Sequence, residues 1–257
     1  MVCETDELLS LTKDIAASAY QRLVKVHSVD ISQLSYSQEV PREMKSFADK
    51  IMEETIIERL LSTGISVLSE ESGEFSSCSK SSKRFVVDPL DGTVNFVRSL
   101  GPCSISIALC DNDQPIFGVL AIFPSGDLAW GGKGKGSFLN DRPIHVSKII
   151  DPLQAVLCTG FPSRYRFDNH NSVTKHIKMM SHFGKVRMLG AASISLLQVA
   201  KGAAEVYSEK EIMLWDVAAG LAILEGAGGE FDINFGKDEN AVNVSATNGL
   251  INIAVPT

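Results

Sequence analysis

Four acidic side chains stand where short apolar segments end: Glu70 after ISVLS, Asp88 and Asp91 within VVDPLDGT, and Asp216 in LWDVAAG. Carboxylates gathered this way suit a hard divalent cation such as Mg²⁺, which takes oxygen ligands, and two adjacent ions need one carboxylate able to bridge them. Asp88 and Asp91 are separated only by Pro89-Leu90, a stiff link that can aim both at one spot, with the Leu90 carbonyl between them. Gly92-Thr93 follows, where exposed backbone N–H groups beside a glycine could cradle a phosphate. The Thr93 hydroxyl could orient a metal-bound water. Each piece alone has an ordinary reading: Asp91-Gly92 as a turn, Asp216 as a helix cap, and EESG (70–73) as a solvated loop. Together, acids at three element ends, one of them followed by Gly-Thr, point to metal-assisted phosphate chemistry.

The elements that must position these groups are legible from periodicity. Leu8, Leu11, Ile15, Ala19, Leu23 and Val26 recur at three- and four-residue spacings, which predicts a helix over 6–26. Met52, Ile56 and Leu60 mark a second helix over 44–62, with Asp49 near its start, and the polar stretch 27–42 between them reads as a loop. From residue 65 the period shortens. ISVLSE, RFVVDPLDG, SISIALC, QPIFGVLAIF and DLAWGG are short strands of a sheet with several antiparallel neighbours, and LNDRPIHVS supplies a turn and another short strand. The second half has an α/β rhythm: strands at QAVLCTG, KVRML, AEVYS, GGEFDI and INIAVP, with helices over 168–182, 192–201 and 216–226. The expected organisation is one unit over 1–257, whose halves, 1–150 and 151–257, are not independent. SSCSKSSK (76–83) reads as an exposed loop.

Composition excludes some classes of function. The chain has 257 residues, 44% hydrophobic and 21% charged, with 24 basic against 31 acidic side chains for a net charge of −7. That balance argues against a nucleic-acid backbone or an anionic membrane as partner, since both require a basic surface. MVCETDELLS opens with acids rather than a basic leader, and FGVLAIF (117–123) is strand-sized, so a cytoplasmic chain without a membrane span is expected. Cys3, Cys78, Cys103, Cys110 and Cys158 lack metal or redox spacing and read as reduced packing residues. GGKGKG (131–136) lacks the spacing of a nucleotide-phosphate loop and reads as a hairpin turn. His170 and His176 read as surface residues, Trp130 and Trp215 as packing anchors, and Arg164 and Arg166 as loop cations within possible reach of a phosphate.

DPLDGT (88–93) and WDVAAG (215–220), with EES (70–72) upstream, resemble the inositol monophosphatase family, part of the lithium-sensitive, magnesium-dependent phosphatase superfamily. GKGSFLNDRPIHVS (134–147) resembles that family's glycine-rich hairpin and GAASISLLQVAKGAAEVYSE (190–209) its substrate-side segment. The resemblance implies an αβαβα sandwich, commonly a homodimer. It implies a first metal held by Glu70, Asp88 and the Leu90 carbonyl, a second by Asp88, Asp91 and Asp216, and a third, weaker one held partly by Glu70 through water. Gly92 and Thr93 would bind phosphate, Thr93 and Glu70 would position the attacking water, and Asp91, Gly190, Ala191, Ala192, Glu209 and Asp216 would face the substrate. The chain departs from the family at EMKSFAD (43–49), where relatives often carry Asp-x-Val-Thr-x-x-Asp, and Asp49 remains there as an outer acid. It also ends at NIAVPT, where relatives commonly add a helix.

The expected activity is therefore Mg²⁺-dependent hydrolysis of a small phosphomonoester such as inositol 1-phosphate, with Mn²⁺ as a substitute ion. Histidinol phosphate, fructose 1,6-bisphosphate and 3′-phosphoadenosine 5′-phosphate are alternative substrates within the superfamily. A regulatory protein that keeps the fold is the rival of another class; an intact ligand set argues against it.

Overall fold

The computed structural model describes residues 2–27, 34–36, 44–76 and 82–253. In chain order the first elements are α1 (Val2–His27), β1 (Leu34–Tyr36), β2 (Met44–Ser46) and α2 (Phe47–Leu61). There follow β3 (Ser66–Ser69), β4 (Gly73–Phe75), β5 (Lys83–Asp91), α3 (Thr93–Arg98), β6 (Cys103–Asp111), β7 (Gln114–Phe123), β8 (Leu128–Gly132), β9 (Gly136–Leu139) and β10 (Arg142–Pro143). The remaining elements are β11 (Val156–Thr159), α4 (His170–Ser181), β12 (Lys185–Arg187), α5 (Ala192–Ala200), β13 (Val206–Met213), α6 (Leu214–Gly226), β14 (Glu230–Phe235) and β15 (Ala241–Thr247).

Two large sheets and three helical layers build an α/β sandwich. The first sheet has the order β10-β9-β8-β7-β6-β5-β3-β4 and the second β12-β11-β13-β15-β14. The strand period of two sorts side chains between layers. In β5, Phe85 and Val87 pack with Ile15, Leu23, Met52 and Ile56 of α1 and α2, whereas Val86 faces the cluster formed with α5 and α6. That second cluster also takes Tyr207, Val242, Val244 and Ala246 of the second sheet, so α5 and α6 form a layer shared by both sheets. α4 covers the far face, its Met179 packing on Leu157 and Val206.

Several expected boundaries move. The second helix starts at Phe47, because Met44–Ser46 pair antiparallel with Leu34–Tyr36; the expected loop over 27–42 thus contains a strand, and its other residues beyond His27 lie outside those described. Ser46 and Asp49 form a capping box that fixes the helix start. The strand expected at INIAVP is absent from Ile251–Ile253, and residues 254–257 lie outside those described. The sheet is completed instead by Ala241–Thr247, which pairs on both sides with β13 and β14. Residues 77–81 of SSCSKSSK lie outside the described residues, whereas GGKGKG forms the β8–β9 hairpin as expected. Cys103, Cys110 and Cys158 are buried and free, and burial pushes their thiols up to about 12, 12 and 11, as suits packing residues.

Candidate functional site

β3 runs parallel to β5, with Ser69 beside Val87, so the two strands deliver Glu70 and Asp88 to the same edge of the sheet. The Glu70 N–H donates to the Val87 carbonyl at 3.2 Å, which fixes that register. Within β5, residues i and i+3 would normally face opposite sides of the sheet. Here a bulge intervenes: Asp88 pairs with Ser106, yet Asp91 pairs with Ser104, three steps on one strand against two on the other. The extra residue turns Asp88 and Asp91 to the same side, toward α5 and α6. The Leu90 N–H donates to Asp88 Oδ1 at 2.8 Å, closing the tight turn that Pro89 begins, and the Leu90 side chain drops into the α1–α2 core.

Asp216 comes from the first turn of α6, which begins at Leu214, two residues earlier than its sequence pattern suggested. One ligand atom each of Glu70, Asp88 and Asp216 lies within 4.8 Å of the others. Asp91 stands outside this trio. Its Oδ2 accepts from the Ser193 N–H at 2.8 Å and from the Ser193 hydroxyl, and its Oδ1 accepts from the Ala192 N–H at 3.3 Å. It thus caps α5 while its carboxylate borders the same cavity.

Gly92 takes φ +90°, and a Cβ there would lie 3.0 Å from that of Ala191. Gly190, at φ +75°, abuts Asn95, whose amide donates to the carbonyls of Leu189 at 2.7 Å and Pro102 at 3.0 Å. Both glycines let the α3 and α5 N-termini approach closely at the cavity. The Thr93 hydroxyl lies 3.1 Å from Asp49 Oδ1 and 3.2 Å from the Leu90 carbonyl, and Asp49 Oδ2 accepts from the Ser46 N–H at 2.7 Å and hydroxyl at 2.5 Å.

Of these groups Glu70, Asp91, Gly92, Thr93, Gly190 and Asp216 line a cavity of about 360 Å³ between the two sheets. Glu209 forms part of its far wall. It lies mid-strand in β13, ahead of a bulge at Glu209/Ile212, rather than at a strand end, and its carboxylate accepts from the Tyr207 hydroxyl at 3.1 Å. Arg164 lines the same cavity and pairs with Asp238 at 3.7 Å, whereas Arg166 pairs with Asp168 on the surface. Trp215 borders the cavity, and Trp130 stacks on Phe138 with Lys13 above its ring. His170 is exposed, but His176 is half-buried against Phe161 and Tyr165, so only the first is a surface residue. Glu53, Asn95 and Ser193 escaped the sequence reading; of these Glu53 had a signal, an acid four residues after Asp49 on the apolar face of its helix.

Electrostatics make the trio costly without a counter-ion. Burial, with the charges of Asp49 and Glu71, pushes Glu70 from 4.5 up to about 8. Burial, with the charges of neighbouring acids, holds Asp88 and Asp216 well above the usual carboxylate range, and burial lifts Asp91 to about 6. All the donors are carboxylate oxygens, the chemistry a hard cation selects, and a cation relieves the repulsion among them. The site therefore fits a hard divalent cation. A group with a raised folded-state pKa contributes stability that is complete below its unfolded pKa and is lost as pH rises through the folded one. The metal-free protein is accordingly expected to lose stability between pH 4.5 and about 8, a melting-point drop on the order of 10 °C for a chain of this size. Millimolar Mg²⁺ at the upper end should restore it. Thermal melts across that range, with and without the ion, check this; a flat metal-free profile would contradict it.

Comparison with known proteins follows the same lines. Residues 4–252 match the profile described as the inositol monophosphatase family. A fructose-1,6-bisphosphatase/inositol-1-monophosphatase of Aquifex aeolicus is 32% identical over 221 residues, covering 85% of this chain and 83% of that one. The Nus factor SuhB of Xylella fastidiosa is 31% identical over 212 residues, covering 81% and 72%. Among solved structures, the extragenic suppressor protein SuhB of Bartonella henselae superposes with a TM-score of 0.83 at 28% identity, covering 95% of each chain. Within the described residues, no helix is long and apolar enough to cross a membrane.

Proposed function

Because this chain belongs to the inositol monophosphatase family, a family of phosphatases, we propose that it hydrolyses a small phosphomonoester with the aid of Mg²⁺, inositol monophosphate being the substrate that suits it best. The observation that carries this reading is the convergence of Glu70, Asp88 and Asp216 within 4.8 Å, beside the Gly92-Thr93 helix start. A divalent ion held there would lower the pKa of a bound water toward neutrality and would set a positive charge against the phosphoryl oxygens.

The protein's own groups do the rest. Asp88, central to the trio, with Glu70 and Asp216 and the Leu90 carbonyl, would hold the cations. Asp91 would complete the set through whichever lone pairs its contacts with α5 leave open. The backbone N–H groups at Gly92 and Thr93 would receive the phosphate at the start of α3. The Thr93 hydroxyl, donating to Asp49, keeps its lone pairs for the attacking water. No covalent intermediate is required, because no nucleophilic side chain is needed where a bound water attacks in line.

Glu209 would read the alcohol portion. Burial holds its carboxyl up at about 7, so above that pH it accepts hydrogen bonds from polyol hydroxyls and repels a second phosphate. Glu209→Gln is therefore expected to shift the kcat/KM ratio of inositol 1-phosphate to fructose 1,6-bisphosphate toward the bisphosphate by about tenfold, the effect of one charged contact. Measuring both substrates at pH 8 checks this; an unchanged ratio removes Glu209 from substrate choice. Arg164, the one lysine or arginine among the described residues lining the cavity, favours a second reading in which a bisphosphate is accepted. The relative named a Nus factor favours a regulatory reading. The discriminating experiment is phosphate release over a panel of sugar, cyclitol and nucleotide phosphates at fixed Mg²⁺. Loss of activity in excess chelator supports the metal-assisted reading, and absence of release from every member overturns it.

A further inference from the structure

Glu53 lies one turn beyond Asp49 on α2, where it is 7% exposed among Met52, Ile56 and Ile57. A carboxylate among apolar side chains carries a desolvation cost unless its oxygens are well partnered. Among the described residues its hydrogen-bond partners all come from one turn. The Ser69 hydroxyl donates to Oε1 at 2.5 Å, the Ser72 N–H to Oε1 at 3.0 Å, and the Ser72 hydroxyl to Oε2 at 2.6 Å. These donors flank Glu70 on both sides. The strand period explains the division of labour: Ser69 points toward α2, and Glu70 points to the opposite face, toward Asp88 and Asp216.

We propose that Glu53 is a positioning residue, a clamp that holds the 69–72 turn so that Glu70 stays against Asp88 and Asp216. The inference rests on the reading of those three carboxylates as a metal site. The clamp has something to resist, because like charges push Glu70 away from its neighbours once these acids are ionised and no cation offsets them. Two acids one turn apart on a single helix then serve the site by separate routes, Asp49 through Thr93 and Glu53 through the Glu70 turn.

The test separates geometry from charge. Glu53→Gln keeps an acceptor for Ser69 and for the Ser72 N–H, and its amide can donate to the Ser72 hydroxyl; Glu53→Leu keeps the volume and loses every bond. In calorimetric titration of the whole protein, Glu53→Leu is expected to raise the Mg²⁺ dissociation constant at least about tenfold, as loss of an outer-sphere partner does, and Glu53→Gln by less than about threefold. In the metal-free protein, amide exchange at Ser72 should accelerate in Glu53→Leu while β5 stays protected. Should Glu53→Leu fail to fold, Ser72→Ala, which removes one donor from the turn, is expected to weaken Mg²⁺ binding several-fold. Equal losses in the Gln and Leu variants would assign the effect to charge and overturn the clamp, as would wild-type affinity in Glu53→Leu or Ser72→Ala. A wild-type protein that binds no Mg²⁺ would sink the metal site itself; unchanged exchange at Ser72 would sink the clamp.

Discussion

Asp88→Asn is expected to leave less than about one thousandth of wild-type kcat, because the central carboxylate of the trio, which would hold the cation, loses its charge while keeping its shape. Asp88 is the most enclosed member of the trio at 1% exposure, and its pKa is raised, after burial, by the charges of Glu70, Asp91 and Asp216 around it. Those same forces predict the opposite effect on the empty fold. Replacing a buried carboxylate among others by a neutral amide should raise the metal-free melting temperature at pH 8, where repulsion is greatest. The pair of results is diagnostic: lost turnover in a protein that is no less stable. Steady-state kinetics at saturating Mg²⁺ and metal-free thermal melts supply both halves. A variant within tenfold of wild-type kcat would show that Asp88 is not needed to hold a catalytic cation.

Thr93→Ala is expected to lower kcat by about a hundredfold to a thousandfold with KM changed less than about threefold, the signature of a group that acts on proton position in the transition state. The hydroxyl has one hydrogen, and its neighbours are Asp49 Oδ1 at 3.1 Å and the Leu90 carbonyl at 3.2 Å. Donation to Asp49 aims its lone pairs away from that acid, where an incoming water can donate to them. Asp49→Asn should reproduce about tenfold of the loss, since its one amide oxygen can accept from Thr93 or from the Ser46 N–H but not from both, and it offers no charge. Should Thr93→Ala change only KM, Thr93 would hold ground-state phosphate and nothing more.

Sequence alone supplied the residue types and most of the elements that carry them. Acid types, the Asp-Pro-Leu-Asp-Gly-Thr run and the amphipathic periods are local properties, and local properties survive without knowledge of the fold. They located α1, α5, β5 to β8 and the acid-bearing ends close to where the structure has them. What failed was set by pairing. AVNVSA (241–246) has a strand's composition but lies among turn residues, and its place between β13 and β14 follows only from the neighbours that satisfy its backbone. Met44–Ser46 continues a helical-looking stretch yet pairs as a strand with Leu34–Tyr36.

The site divides in the same way. That Glu70, Asp88, Asp91 and Asp216 are acids at element ends is written in the chain; which of them meet is not. Parallel pairing of β3 with β5 brings Glu70 beside Asp88, the β5 bulge turns Asp91 to the same face, and packing of α6 between the sheets adds Asp216. Asp91 shows the difference most plainly: its spacing matches its neighbours, but the α5 N-terminus claims both of its oxygens. Glu53 sits on a helix face that sequence reads as apolar, and its partners, Ser69 and Ser72, are 16 and 19 residues away. Residue type determines what a group can bond to, whereas contacts between segments so far apart exist only once the chain has closed on itself.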